Sequence, residues 1–147
     1  MTSNSLELRP VGRIRSPLKE REACPKQGEE GAPEAWLEIE PVFRDALDGL
    51  VVGQEILLLT WLHESRRVTL KVRRRGDPNG PLRGVFATRS PDRPNPIGLH
   101  RVRILELHDG DAMKVHPLEA LDGTPILDIK PLLSGHGHRK AAGRDIP

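Results

Sequence analysis

Three clusters carry residue types that could do chemistry. Arg93-Pro94-Asn95-Pro96-Ile97-Gly98 places an arginine and an asparagine among prolines. Proline fixes φ, removes a backbone donor and pushes the residue before it toward extended geometry, so Arg93 and Asn95 sit on a stiff frame. A guanidinium on such a frame is a ready fork for a carboxylate or phosphate. The plainer alternative is a proline-rich surface turn. Leu121 to Pro131 (LDGTPILDIKP) opens with a tight Asp-Gly-Thr-Pro turn whose backbone groups and Asp122 carboxylate can meet a small ligand. Asp128 and Lys130 then share one face of a strand, and a hairpin turn with a surface ion pair explains the same residues. Cys24-Pro25-Lys26-Gln27-Gly28 is a polar loop with amide and ammonium donors, in which Cys24 reads as a small packing residue.

Several chemistries are excluded. No GxGxxG follows a strand and no GxxxxGK[ST] occurs, which disfavours the common nucleotide enzymes. CxxC and HExxH are absent, and His136-Gly137-His138 lies in a Gly-rich charged tail where a solvated pair is expected and no metal site is assigned. A serine-hydrolase elbow is missing too. Net charge is only +2, yet residues 66–103 hold 11 Lys/Arg against 2 Asp/Glu. That basic block coincides with the proline frame and suits a polyanion through counterion release, unless acidic segments balance it in space.

The elements that must position these clusters are mainly strands. Val68, Leu70 and Val72 alternate with basic residues, the pattern of a strand with one buried face. Gln54 to His63 is nearly continuously apolar, as expected of a strand covered on both faces. Ile97 to Leu107 is followed by Asp109-Gly110 and then by Met113 and Val115, which reads as a hairpin. Val11 to Arg15, Ala35 to Ile39, Gly84 to Thr88 and Pro125 to Ile129 complete seven to nine short strands, with one helix expected from Pro41 to Leu50. The fold class is therefore all-β in the main, a closed or nearly closed barrel of a single sheet with one or two short helices. One domain is expected over residues 1–135, with a flexible tail at 136–147. No apolar run is long enough for a membrane helix, MTSNSLELRP does not resemble a signal peptide, and a lone Cys24 fits a cytoplasmic location.

Taken together and in order, VGRIRSP (Val11 to Pro17), PKQG (Pro25 to Gly28), TWLH (Thr60 to His63), GVFATRSPDRPNPIGL (Gly84 to Leu99) and LDGTPILDIKPLL (Leu121 to Leu133) resemble the TsaA-like family, also called TrmO or YaeB. The resemblance covers the chain from Val11 to about Leu133. It implies a single-sheet β-barrel that forms a homodimer, binds S-adenosyl-L-methionine and methylates N6 of the threonylcarbamoyladenosine beside the anticodon of a threonine tRNA. Carried over position by position, it implies cofactor contacts at Pro25, Lys26, Gln27, His63, Glu64, Arg89, Leu99, Asp122, Gly123, Thr124 and Pro125. Two departures stand out. Lys26 occupies a place that often holds arginine in such loops, and the best-described bacterial members continue beyond the DIKPLL strand.

With a sulfonium methyl donor the protein must mainly align a nitrogen with the C–S bond and exclude water. Arg93 and Asn95 are the residues expected to hold the modified base or its threonyl carboxylate. Asp128 and His100 are proton acceptors by type, although Asp128 could pair with Lys130 and His100 could be a strand residue beside Leu99. Two Trp, two Phe and no Tyr leave RNA docking to Arg and Lys. Two other classes fit the same residues: an S-adenosylmethionine-binding sensor or small-molecule methyltransferase without tRNA activity, and a basic RNA-binding barrel without cofactor.

Overall fold

The computed structural model describes residues 4–20, 31–74 and 77–133. In chain order the strands are β1 (Gly12–Arg15), β2 (Ala35–Ile39), β3 (Glu55–Trp61), β4 (Lys71–Arg73), β5 (Leu82–Gly84), β6 (Ile97–His108), β7 (Ala112–His116) and β8 (Pro125–Pro131). Six of them close a ring in the order β1-β2-β7-β6-β3-β8, while β4 and β5 form a separate two-stranded ribbon. The mainly-β expectation holds.

Period-two alternation fills the ring. Along β6, Gly98, His100, Val102 and Ile104 point inward and Ile97, Leu99, Arg101 and Arg103 outward. Inside, Ile14, Leu37, Ile56, Leu58, Ile104, Met113, Leu118 and Ile126 are all buried, and each contributes roughly 1.5–3 kcal/mol of apolar burial. The β6–β7 hairpin turns at Asp109-Gly110 as expected, with Gly110 at a φ of 104° that a side chain would resist. At Gly12 the reason for glycine is proximity: a Cβ there would press on the Glu38 carbonyl and stand 3.0 Å from the Ile39 Cα across the β1–β2 pair.

Four sequence expectations are corrected. Val68 and Leu70 precede the short β4 and are 87% and 68% exposed, because the ribbon has no layer of the ring over it. Gly84 to Thr88 is not a strand: β5 ends at Gly84 and Val85–Ala87 is a 3₁₀ turn. There the Arg93 guanidinium takes the Val85 and Thr88 carbonyls that a ladder would need. The expected helix is a 3₁₀ helix, Pro41–Leu47. With about three residues per turn the apolar stripe rotates, so Val42 is exposed and Phe43, Leu47 and Leu50 lie on the core. Finally, β3 is buried on its inner face only: Leu57, Leu59 and Trp61 on the outer face are half-buried.

Candidate cofactor and substrate site

The register around β3 decides what lies beside what. Trp61 pairs with Ile97, and Thr60 pairs with Gly98 on one side and Ile126 on the other. Arg13 in turn pairs with Pro125. The last residues of β1 and β3 and the first of β6 and β8 therefore share one rim. Neighbouring strands lie about 4.8 Å apart, so the starts of β6 and β8 are about 10 Å apart across β3. His63 and Glu64 leave β3 at this rim, Arg93 and Asn95 lead into β6, Leu99 lies on it, and Asp122 to Pro125 lead into β8. Pro25, Lys26 and Gln27 lie outside the described residues.

The turn at the start of β8 is held from several sides. Its Asp122 amide donates to the Leu18 carbonyl at 2.8 Å, the Gly123 amide to Ile14 at 2.7 Å, and the Thr124 amide and hydroxyl to Leu121 at 3.1 and 2.6 Å. Gly123 takes a φ of 84°, which explains glycine here. The Asp122 carboxylate accepts the Ser16 amide at 2.9 Å and meets Lys19 Nζ at 3.0 Å. The Ser16 amide first, and the Lys19 ammonium second, hold its pKa below the ordinary carboxylate value. Since the amides of 122 to 124 are all engaged, what the turn can offer a ligand is acceptor oxygens and apolar surface. The strand that leads toward Pro25 to Gln27 is thus fastened to this turn at Ser16 and Lys19.

The proline frame is stitched to the segment that follows β3. Leu62 N donates to the Pro96 carbonyl at 2.8 Å, Arg66 N to Asp92 Oδ1 at 2.8 Å and Arg93 N to the Arg66 carbonyl at 3.0 Å. Arg93 turns inward. Its Nε donates to Ser90 O at 2.8 Å, and its Nη2 to Val85 O at 2.6 Å and Thr88 O at 2.5 Å, so it braces the loop before the frame. Arg67, which sequence reading missed, is the exposed guanidinium beside Asn95: Nε donates to Pro94 O at 2.7 Å and Nη2 to Asn95 Oδ1 at 2.9 Å, over the Trp61 ring. Its only sequence signal was membership of the basic block.

Both candidate proton acceptors take their structural alternatives. Asp128 is exposed and pairs with Lys130 at 3.2 Å. His100 is 5% exposed inside the ring, with Glu119 at Nδ1 and Thr60 at Nε2. His63 and Glu64 lie 4.0 Å apart and stay accessible. Arg89 is exposed on the loop that Arg93 braces.

Toward this rim runs an outer-face apolar strip, Leu59 directly across from Leu99 with Trp61 beyond, and the chain continues from Trp61 to His63 and Glu64. Such a surface suits a ligand that combines a flat apolar ring with positive charge. On the separate ribbon and the loop after it, Lys71, Arg83 and Arg89 are exposed and have no carboxylate partner among the described residues, whereas Arg101 is paired to Glu55 at 2.9 Å. Among those residues no group of His, Cys, Asp and Glu could hold a metal ion, and no helix is long and apolar enough to cross a membrane.

Comparison with known proteins agrees with these motifs. Residues 13–136 match the tRNA-methyltransferase O N-terminal domain. A protein of Methanothermobacter thermautotrophicus described as a probable S-adenosyl-L-methionine-binding protein is 45% identical over 131 residues, covering 89% of this chain and 93% of its own. The tRNA (adenine(37)-N6)-methyltransferase of Escherichia coli K12 is 36% identical over 140 residues, 88% of this chain but 59% of that enzyme. A crystal structure of TrmO from P. aeruginosa superposes with a TM-score of 0.72 at 33% identity, over 92% of this chain and 58% of that one. The matched span is most of the chain and contains every segment gathered at the rim, and the protein belongs to the TrmO family.

Proposed function

We propose that this protein methylates N6 of threonylcarbamoyladenosine beside the anticodon of a threonine tRNA, with S-adenosylmethionine as donor. The observation that carries the reading is the shared rim of β1, β3, β6 and β8, which brings segments far apart in sequence to one place. The names of the archaeal and E. coli relatives point the same way. His63, Glu64, Arg89, Leu99 and Asp122 to Pro125, with Pro25, Lys26 and Gln27 of the early loop, would hold the cofactor. Its acceptor oxygens and apolar strip fit a sulfonium beside an adenine. When bound, S-adenosylmethionine supplies an electrophilic methyl group.

The chain's own residues then align and enclose the acceptor. Asn95, its oxygen engaged by Arg67, presents its amide N–H groups to the modified base, and Arg93 keeps the frame rigid from behind. Lys71, Arg83 and Arg89 supply the charge for the tRNA backbone. A second copy of the chain covers Val68, Leu70 and Phe86, whose exposure in one copy (84% for Phe86) favours a homodimer. The activity is assigned to the cytoplasm, to residues 1–135 as one domain and to 136–147 as a tail.

The test is a calorimetric titration with S-adenosylmethionine, followed by incubation with labelled cofactor and tRNA from a strain lacking this gene. Saturable binding and label in the threonine-tRNA fraction are expected. Binding without label would replace the reading with a cofactor-binding protein that has no tRNA activity. That second reading is favoured by one observation: the archaeal relative, 45% identical over 131 residues, is described by cofactor binding alone. No binding at all would overturn both.

A further inference from the structure

Among the described residues, besides Ser16 and Thr124 beside the turn before β8, the largely apolar ring buries one polar chain, Thr60–His100–Glu119. Thr60 is fully buried, His100 is 5% exposed and the Glu119 side chain 15%. His100 Nδ1 stands 2.6 Å from Glu119 Oε1 and Nε2 stands 2.8 Å from Thr60 Oγ1. A carboxylate only accepts, so Nδ1–H donates to Glu119, and in the neutral ring Nε2 is then left to accept the threonine hydroxyl. With both nitrogens engaged, the ring cannot turn without leaving a buried polar atom unpaired.

Core stability does not call for this chain. Isoleucine, leucine, valine, methionine and alanine fill most of the other inward positions, and a buried polar network can fix an arrangement without adding net stability. Its place in the fold gives a better reason. Thr60 comes from β3 just before Trp61 to Glu64, His100 follows Leu99 on β6, and Glu119 lies three residues before Asp122. Each member is joined to a different segment of the proposed cofactor site. Gly98 belongs to the same device: a Cβ there would press on the Thr60 hydroxyl and lie 2.7 Å from His100 Nε2, so the glycine that closes the proline motif makes room for the hydrogen-bonded pair.

We infer that His100 is a positioning residue that fixes the distances between the end of β3, the start of β6 and the turn before β8, and so sets cofactor affinity without touching the cofactor. This inference rests on the reading of the rim as a cofactor site. It differs from a general-base role, which would need an exposed imidazole.

The experiment compares the full-length protein with His100→Leu, Thr60→Val and Glu119→Gln. S-adenosylmethionine affinity is measured by calorimetry, and amide exchange at Leu62 and Gly123 is measured without cofactor. Wild type that binds no cofactor would sink the functional reading; the exchange data would then still decide whether the lock exists. With wild-type binding in hand, His100→Leu and Thr60→Val should weaken affinity by about tenfold or more and speed exchange at both amides. Glu119→Gln, which keeps an acceptor oxygen in place, should stay within about threefold of wild type. Folded His100→Leu with affinity and exchange within twofold of wild type would overturn the inference. If His100→Leu fails to fold, near-isosteric Thr60→Val decides the question by the same two measurements and the same twofold limit.

Discussion

Arg67 donates to the Asn95 side-chain oxygen at 2.9 Å and to the Pro94 carbonyl at 2.7 Å while its guanidinium lies 4.9 Å from the centre of the Trp61 ring. One side chain therefore joins the last residue of β3 to the middle of the proline frame. Arg67→Ala should lower kcat/KM for methyl transfer about tenfold, an effect of about 1.4 kcal/mol. Arg67→Lys should not restore it, because a point charge cannot make both hydrogen bonds and the stack. Initial rates over a range of tRNA concentrations provide the check.

Asp122 makes stability depend on acid. The Ser16 amide and Lys19 bind its charged form, so its folded pKa lies below the unfolded value of about 3.8. A depressed folded pKa means the contribution is complete above the unfolded value and fades as pH falls toward and through the folded one. Asp122→Asn should cost about 1 kcal/mol at pH 7, the discount reflecting a side chain still about one-third in water. Urea unfolding of both proteins at pH 7 and near pH 3 should show the difference shrinking in acid.

Exposed basic side chains with no carboxylate partner among the described residues, Lys71 and Arg83, imply salt-sensitive tRNA binding. Each phosphate contact adds a slope of roughly 0.7–0.9 in log K against log salt, so Lys71→Ala/Arg83→Ala should flatten the slope by about 1.5. Filter binding between 50 and 200 mM salt, on the order of the range where counterion release is clear, reads this directly. A flat wild-type dependence would remove RNA from the ribbon.

Phe86→Asp puts a charge into the exposed apolar patch of the ribbon. Light scattering should then report a single copy where the wild type reports two. Because Phe86 is 84% exposed in one copy, the monomer's own unfolding free energy should move by no more than about 0.5 kcal/mol.

The strands legible in sequence were those whose partners lie within the ring. Ala35–Ile39 and the β6–β7 hairpin follow from alternation and an Asp-Gly turn, both local signals. Val68 and Leu70 misled because alternation records two unlike faces, not which layer covers them. The Val85–Ala87 turn was invisible for a different reason: it depends on Arg93, which takes the Val85 and Thr88 carbonyls from eight and five positions onward. At the site the motif blocks announced themselves, but the roles of Ser16, inside one of those blocks, and of Arg67 and Glu119 did not. Each acts through a partner distant in the chain, 106 residues away for Ser16 and Asp122, and a single sequence does not encode such pairings by spacing.

The ring is unevenly closed. β3 and β6 pair at seven positions, but β1 meets β8 at only two, Gly12 with Ile126 and Arg13 with Pro125. Beyond those two pairs the seam depends on bonds outside the ladder, Val11 to Ile126, Ile14 to Thr124, Gly123 to Ile14 and Asp122 to Leu18, so its opening is governed by the turn before β8. The proposed ligand lies over the seam's upper edge, where Ser16 and Asp122 latch the two strands together. Occupancy there would hold the seam shut, and a bound protein should therefore resist heat and proteases by the amount mass action sets, RT ln(1 + L/Kd) for a free ligand concentration L, with the protection concentrated at this join.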